Sequence, residues 1–251
     1  LAVILADPRM ADPLIIANTR TLAAPLTGVQ RYTREILRHA GDAIGALAPA
    51  QPLLGMQGHL WDQTLAWRLP RHALLWSPAN VGPLARAAQV VTVHDVAALD
   101  HPQWQSAAFG AWYRWLTPRL VRRVRAVLAV SEFTRQRLLA HTGMAPERVH
   151  VVPNGVDQRF APRDPQALQA GLAALSLPSK RYVLTVGSIE PRKNLATLLQ
   201  AWSGILPQLP PDLWLVVAGM KGASHIHRDA LGGKALPPRV HLPGHVPDEL
   251  L

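Results

Sequence analysis

Arg192 and Lys193 stand side by side in TVGSIEPRKNLATLLQAW (185–202), after an apolar run that stops at Gly187 and before a helical pattern under way by Leu195. A cation beside a helix N-terminus is locally unfavourable, because free N–H groups already make that end positive. The same arrangement is a good receptor for a diphosphate. The amides and the dipole attract an anion, Arg grips two oxygens, and Lys acts as a point charge. A solvated basic turn would carry the same residues; the local electrostatic cost favours the phosphate. Gly28, in PLTGVQRY, marks a second place where a loop turns into a helix and a ligand can approach the backbone closely.

These residues need strands and helices to hold them. Short runs rich in Val, Ile and Leu recur at 14–18, 43–47, 73–77, 90–94, 127–131 and 149–153. Nearly continuous apolar runs of this length read as strands buried on both faces, as in a parallel sheet. Helical patterns fall between them. Thr27 and Gly41 bracket one, with Val29, Tyr32, Ile36 and Leu37 on one face, and Ser131 and Gly143 bracket another. Residues 106–125 form a long aromatic pattern that Pro118 is expected to kink or split. The alternation predicts an α/β fold of Rossmann type. A second set of strands follows at 182–187, 213–219 and 240–244. The expected organisation is an N-terminal domain over 1–160, a linker helix and hinge over 161–180, and a C-terminal domain over 181–251. That last domain has only three strands, where a doubly wound sheet usually has about five or six.

In open parallel sheets ligands bind beyond the carboxyl ends of the strands. The polar clusters sit there: Asn18-Thr19-Arg20, Pro78-Ala79-Asn80, His94-Asp95, Ser131, Asn154-Gly155, then Gly187-Ser188 and Gly219.

The chain has no cysteine, so disulfides and thiolate chemistry are excluded. No run reaches the roughly 18 apolar residues of a spanning helix, and the opening LAVILADPRM lacks a basic region before its short apolar stretch. The expectation is a non-exported, cytoplasmic protein. The net charge of +10 favours anionic partners, though a general Arg-rich composition gives the same sum. The motifs G-x-G-x-x-G, G-x-x-x-x-G-K-[ST], G-x-S-x-G and D-x-D are all absent. His225 and His227, with His241 and His245, lack a Cys or carboxylate partner and make a weak zinc case, so no metal is expected. The aromatic, Arg-rich segment FGAWYRWLTPRLVRRVR reads first as core, second as a helix lying on an acidic membrane. No motif supports nucleic-acid binding.

Taken as a set, PLTGVQRYTREIL, VVTVHDVAALDHPQW, VLAVSEFTRQRL, VHVVPNGVDQRF, YVLTVGSIEPRKNLATLLQAW, LWLVVAG and VHLPGHVPDELL resemble the GT-B fold and, within it, the glycogen-synthase-like family of retaining nucleotide-sugar glycosyltransferases. The flavour is that of bacterial polysaccharide enzymes, often mannosyltransferases. The resemblance implies two Rossmann-like domains facing a cleft, the second incomplete in this chain. It implies a GDP- or UDP-sugar donor as substrate, no cofactor, and a glycan or lipid-linked acceptor, with peripheral contact to an anionic membrane on its inner face. Lys193 matches the family lysine at the diphosphate. The usual Arg after the strand glycine is Ser188 here, with Arg192 available to supply the charge. Gly28 matches the first-domain glycine loop, and His94 a histidine at the donor sugar. Asp95 either orients His94 or caps the following turn. The loop around Val246 matches the one that meets the nucleobase. Arg20 and Asn80 fall on the acceptor side.

The family continues with a stretch like E-G-F-G-x-x-x-x-E, whose glutamates face the donor. This sequence stops at Leu251, before that stretch. The resemblance therefore implies an incomplete donor pocket in the chain as written. The alternative expectation is a truncated or pseudo-transferase that binds a nucleotide or a partner without turnover.

Overall fold

The computed structural model describes residues 14–24, 26–158, 160–162, 164, 175–179, 181–219, 235–247 and 250. The chain divides into two compact units, Leu1–Gly155 and Val156–Leu251. In the first, β1 (Ile15–Asn18), β2 (Gly45–Leu47), β3 (Leu74–Ser77), β4 (Gln89–Val93), β5 (Ala126–Ala129) and β6 (Val149–Val151) form one sheet in the order β2-β1-β3-β4-β5-β6. Every pairing is parallel. The strand order reverses between β1 and β3, the switch point at which such sheets open a crevice for ligands. β3, β4 and β5 are buried along their whole length, which is why their sequences are continuous rather than alternating.

The connecting helices are α1 (Gly28–Ala40), α2 (Gly55–Arg68), α3 (Ala97–Asp100), α4 (Ala107–Arg123) and α5 (Glu132–Thr142). Register puts Trp76 beside Val90 on one face of the sheet, and Leu75 and Val91 point to the other. Tyr32, Ile36 and Leu37 of α1 pack on the Trp76 face. Trp61 and Leu65 of α2 pack on Leu75, while Leu116 and Leu120 of α4 and Leu138 of α5 pack on Val91 and Val93. α2, α4 and α5 therefore share the face opposite α1. Local signals set the ends. Gln30 Oε1 accepts from the Thr27 amide and hydroxyl at the start of α1, and Gly41 ends it at φ 54°. Ser131 accepts from the Thr134 amide, and Gly143 adopts the left-handed conformation after α5.

The expectation that Pro118 splits its helix is not met: α4 runs unbroken through it. Proline removes one backbone donor, but Leu116, Thr117, Leu120 and Val121 are buried on either side and pin the helix to the sheet. Arg119 Nη1 donates to the Trp115 carbonyl at 2.7 Å, in the turn that the proline weakens.

The second unit holds β7 (Arg181–Val186), α6 (Leu195–Ile205), β8 (Leu213–Ala218) and β9 (Val240–Gly244), again parallel, in the order β7-β8-β9. Ile189, Leu195, Leu199, Trp202, Leu215 and Val217 form its core. The linker helix expected within 161–180 falls largely outside the described residues. No helix among the described residues is long and apolar enough to cross a membrane.

The strand ends of this unit are packed backbone to backbone. A Cβ on Gly219 would lie 1.8 Å from the Gly187 carbonyl oxygen. Gly219→Ala is expected to destabilise the second unit by about 3 kcal/mol, the upper range for overpacking. Gly204, inside α6 with nothing within 4 Å of its Cβ position, is the contrast. Gly204→Ala should raise stability by about 0.5–1 kcal/mol. Thermal unfolding of the two variants beside the wild type checks both signs.

Candidate functional site

At the carboxyl edge of the first sheet, His94 is held from three directions. Its amide donates to Asn80 Oδ1 at 2.8 Å. Asn80 sits at φ 61° and itself donates from its amide to the Thr92 carbonyl at 3.1 Å. The ring Nε2 lies 2.7 Å from the Pro78 carbonyl oxygen. A carbonyl only accepts, so Nε2 carries the proton and Nδ1 keeps its lone pair. From α1, Tyr32 meets the imidazole edge-on, with centroids 4.8 Å apart and planes at 85°. Burial pushes the His94 pKa down against the opposing pull of the Pro78 contact and Asp95. The ring is therefore neutral at pH 7. Asp95 is exposed, and its Oδ1 accepts from the Ala97 amide at 3.1 Å, closing the turn that leads into α3.

Arg20 does not face a ligand. It is 6% exposed. Its Nε and Nη2 grip the two oxygens of Asp62 at 2.9 and 2.7 Å, and Nη1 donates to the Leu53 carbonyl at 3.2 Å. Asn18 Nδ2 adds a bond to Asp62 Oδ1 at 2.8 Å. The guanidinium lies so close to α2 that a Cβ on Gly58 would stand 2.3 Å from Arg20 Nη1. His59, one turn before Asp62, is 3.8 Å from its Oδ2, and its Nδ1 is buried without a hydrogen-bond partner. Burial lowers the His59 pKa, with Asp62 pulling it up and Arg20 pushing it down. Its ring lies against Tyr113, whose hydroxyl burial pushes up to about 12. Asp62 and His59 had no signal in the sequence as a pair for Arg20; the partners lie 42 positions apart, on a helix without clear periodicity.

Gly28 opens α1, is exposed, and a Cβ there would meet nothing within 4 Å. Neither packing nor a left-handed φ demands glycine at this position.

In the second unit the chain leaves β7 through Gly187 at φ 154°, then makes a 3-10 turn over Pro191–Lys193 before α6. Lys193 arches back over the strand end: a Cβ on Gly187 would be 3.5 Å from Lys193 Cε and 4.0 Å from Nζ. Arg192 is more committed than the sequence suggested, with Nε 2.6 Å from Glu190 Oε2. Burial alone would raise the Glu190 pKa, but hydrogen bonds from Ser188 and Arg192 and the charges of Arg192 and Lys193 together hold it below its ordinary value. Ser188 thus braces this turn through Glu190. Val246 is buried and anchors the loop after β9. Among the described residues no group of three or more His, Cys, Asp or Glu is placed to hold a metal ion; His225 and His227 lie outside them.

The family model for Glycosyltransferase Family 4 matches residues 26–160. The alpha-maltose-1-phosphate synthase of Mycolicibacterium smegmatis is 30% identical over 156 residues, covering 58% of this chain and 39% of that protein. The O-antigen chain mannosyltransferase B of Escherichia coli is 23% identical over 246 residues, covering 83% and 64%. The chain thus spans less than two thirds of the length of these curated relatives. Among solved structures, Anabaena Alr3699/HepE in complex with UDP-glucose gives a TM-score of 0.65 at 16% identity, covering 93% of this chain and 69% of that one. WaaG, a glycosyltransferase involved in lipopolysaccharide biosynthesis, gives 0.62 at 14% identity, covering 94% and 71%. At these identities the likeness speaks to the fold, which is GT-B.

Two outcomes follow from the buried groups. Asp62→Ala leaves the Arg20 charge enclosed and unpaired, a loss expected at about 3–5 kcal/mol by chemical denaturation. The lowered pKa values of His59 and His94 mean that the unfolded chain takes up protons first as pH falls. Stability should therefore decline as pH drops below about 6.5, the ordinary histidine value. Melting temperature against pH should fall less steeply in the His59→Gln/His94→Gln variant.

Proposed function

Because the chain belongs to Glycosyltransferase Family 4, we propose that it forms the sugar-transferring part of an enzyme that uses a nucleoside diphosphate sugar. The transferred sugar is a hexose, mannose in the reading that the relatives named as mannosyltransferases favour. The base is guanine or uracil; UDP-glucose in the HepE complex supports a nucleotide-sugar guest for this fold. The acceptor is a glycan or a lipid-linked saccharide in polysaccharide assembly.

The observation that carries this reading is Lys193. Its ammonium lies over the strand-end glycine, just before the start of the next helix, whose first amides also favour an anion. Lys193 would hold the donor diphosphate. Arg192, tied at Nε to Glu190, would add charge from its remaining nitrogens. Ser188 would set the turn through Glu190. The backbone beside buried Val246 would meet the base. In the first unit, Gly28 at the start of α1 leaves open space, and His94 would present its imidazole Nδ1 to a sugar hydroxyl, oriented by Asn80 and Tyr32. Arg20 supports the acceptor side only indirectly, through the loop it fixes.

The chemistry is a substitution at the anomeric carbon with retention. The acceptor oxygen bonds to that carbon on the face from which the diphosphate leaves. The carbon–oxygen bond to phosphate breaks, its electron pair stays on the diphosphate, and the acceptor hydroxyl proton passes to the leaving phosphate oxygen. Lys193, Arg192 and the dipole of α6 would stabilise the charge that grows there. Fixed charges and dipoles aimed at such a developing charge usually lower the barrier more than any other single effect.

Calorimetry of this chain with GDP and with UDP is the first test. One of the two should bind, and Lys193→Ala should weaken it by about tenfold or more, the loss of one charge-assisted contact. If neither nucleotide binds, or Lys193→Ala binds as well as the wild type, the assignment of the diphosphate site is wrong.

A further inference from the structure

Phe133 is 68% exposed, on a helix whose buried residues are Thr134, Leu138 and Thr142. It lies in the first turn of α5, directly after β5, and so stands at the carboxyl edge of the first sheet. A helical side chain leans toward the N-terminus of its helix and covers the turn before its own Cα. The phenyl ring therefore leans outward over the strand ends. The hydroxyl of Thr134, next in sequence, donates to the His94 carbonyl at 3.4 Å. The Thr134 and Arg135 amides are already committed to the side chain and carbonyl of Ser131. What this place offers a guest is the ring rather than the helix end.

Helical spacing tells which way the ring faces. Residues four apart share one side of a helix, so Phe133, Arg137 and His141 form a stripe along α5. Arg137 and His141 both bind Asp100, the last residue of α3. Arg135, on another side of α5, donates to the Val149 carbonyl of β6. Phe133 thus heads the side of α5 that is turned toward the segment 94–100. On that segment Asp95 is exposed, and its charge acts on the His94 ring. Its Oδ1 is engaged by the Ala97 amide, and no hydrogen bond among the described residues takes its Oδ2. The other acid near the ring, Glu132, is paired with Arg135 at 3.2 Å.

We propose that Phe133 and Asp95 form a subsite for one pyranose ring of a neutral saccharide, its C–H face on the phenyl ring and one of its hydroxyls donating to Asp95 Oδ2. The face of a phenyl ring is negative and the axial hydrogens of a pyranose are weakly positive, so the two attract. Their contact also takes apolar area out of water on both partners. A hydroxyl bound to a carboxylate is held by a charge-assisted bond, which fixes how the ring is turned. Both groups are needed to read a sugar: the phenyl takes the apolar face, the carboxylate the polar rim. A nucleobase would stack on the phenyl as well, but the diphosphate it carries would then lie beside a carboxylate. An apolar side chain of a protein partner would leave Asp95 Oδ2 unanswered. That a saccharide binds here does not depend on the transferase reading. That it is the acceptor, set beside His94 for transfer, rests on that reading.

The test is saturation-transfer NMR of the chain with methyl α-mannopyranoside and with methyl α-glucopyranoside. The ring protons of at least one of them should take up saturation from the wild type. Phe133→Ala and Asp95→Asn should each lower that transfer by about fivefold or more, the loss of one aromatic or one charge-assisted contact. Phe133→Trp keeps an aromatic face and should retain it. The melting temperature of Phe133→Ala should match the wild type, because the ring is exposed. No transfer from the wild type, or equal transfer from Phe133→Ala, overturns the proposal. So does weaker binding of GDP or UDP by Phe133→Ala in calorimetry, since the ring would then serve the nucleobase. Calorimetry of the wild type separates the two readings. Saccharide binding without nucleotide binding removes only the transferase, and nucleotide binding without saccharide binding removes only the subsite.

Discussion

Enclosing Arg20 with Asp62 commits three elements of the first unit to a single geometry. A buried guanidinium is tolerable only if every donor group is answered, and here Asp62 answers two and the Leu53 carbonyl the third. That requirement fixes α2 in rotation and in height, because Asp62 must meet the fork squarely and Gly58 must leave room for it. With α2 so fixed, His59 is delivered to Trp112 and Tyr113, and α4 is located in turn. The same rotation turns Met56, Leu60 and Trp67 outward. The buried pair and the exposed apolar stripe are thus two consequences of one constraint.

The second unit relies on a different device. Its strand ends are held by backbone meeting backbone: Gly187 donates to the Ala218 carbonyl at 2.9 Å, and Gly219 to the Gly244 carbonyl at 2.8 Å. Side chains are excluded from this layer by contact distance, and with the Gly187 and Gly219 amides spent on carbonyls, Lys193 is the charged group left above the strand end.

The strands were legible because a parallel sheet buries both faces, so VVTV and AVLA appear as unbroken apolar runs. α1 and α5 were legible at both ends because their caps are local: Thr27 with Gln30, Ser131 with Thr134, and glycines just beyond. α2 was not legible. Its apolar residues point both ways, so no single stripe forms, and it starts on a glycine without a capping side chain. Pro118 misled for a related reason. A proline's cost is local, whereas the burial that outweighs it comes from the sheet. At the candidate site, Gly28, His94 and Lys193 stand out in the sequence because they follow strand ends or open helices. The roles of Arg20 and Arg192 could not. One has its partner 42 residues away, and the other is held by Glu190, whose pairing depends on the turn conformation.

Charge is distributed differently in the two units. The chain carries +10, yet at the carboxyl edge of the first sheet neither Arg20 nor His94 contributes a net positive charge. Arg20 is cancelled by Asp62, and His94 is neutral by burial. Farther round, Arg137 and His141 both converge on Asp100, whose carboxyl the Arg137 hydrogen bond holds below its ordinary value. A neutral imidazole beside a braced backbone suits a sugar, whose hydroxyls want donors and acceptors in fixed places and gain little from net charge. The turn after β7 keeps its cations at the surface, with only Glu190 in opposition. Enclosing Arg20 with Asp62 takes a full positive charge away from the strand end that also carries Asn18, so the same pair that fixes α2 also sets the local electrostatics of that edge.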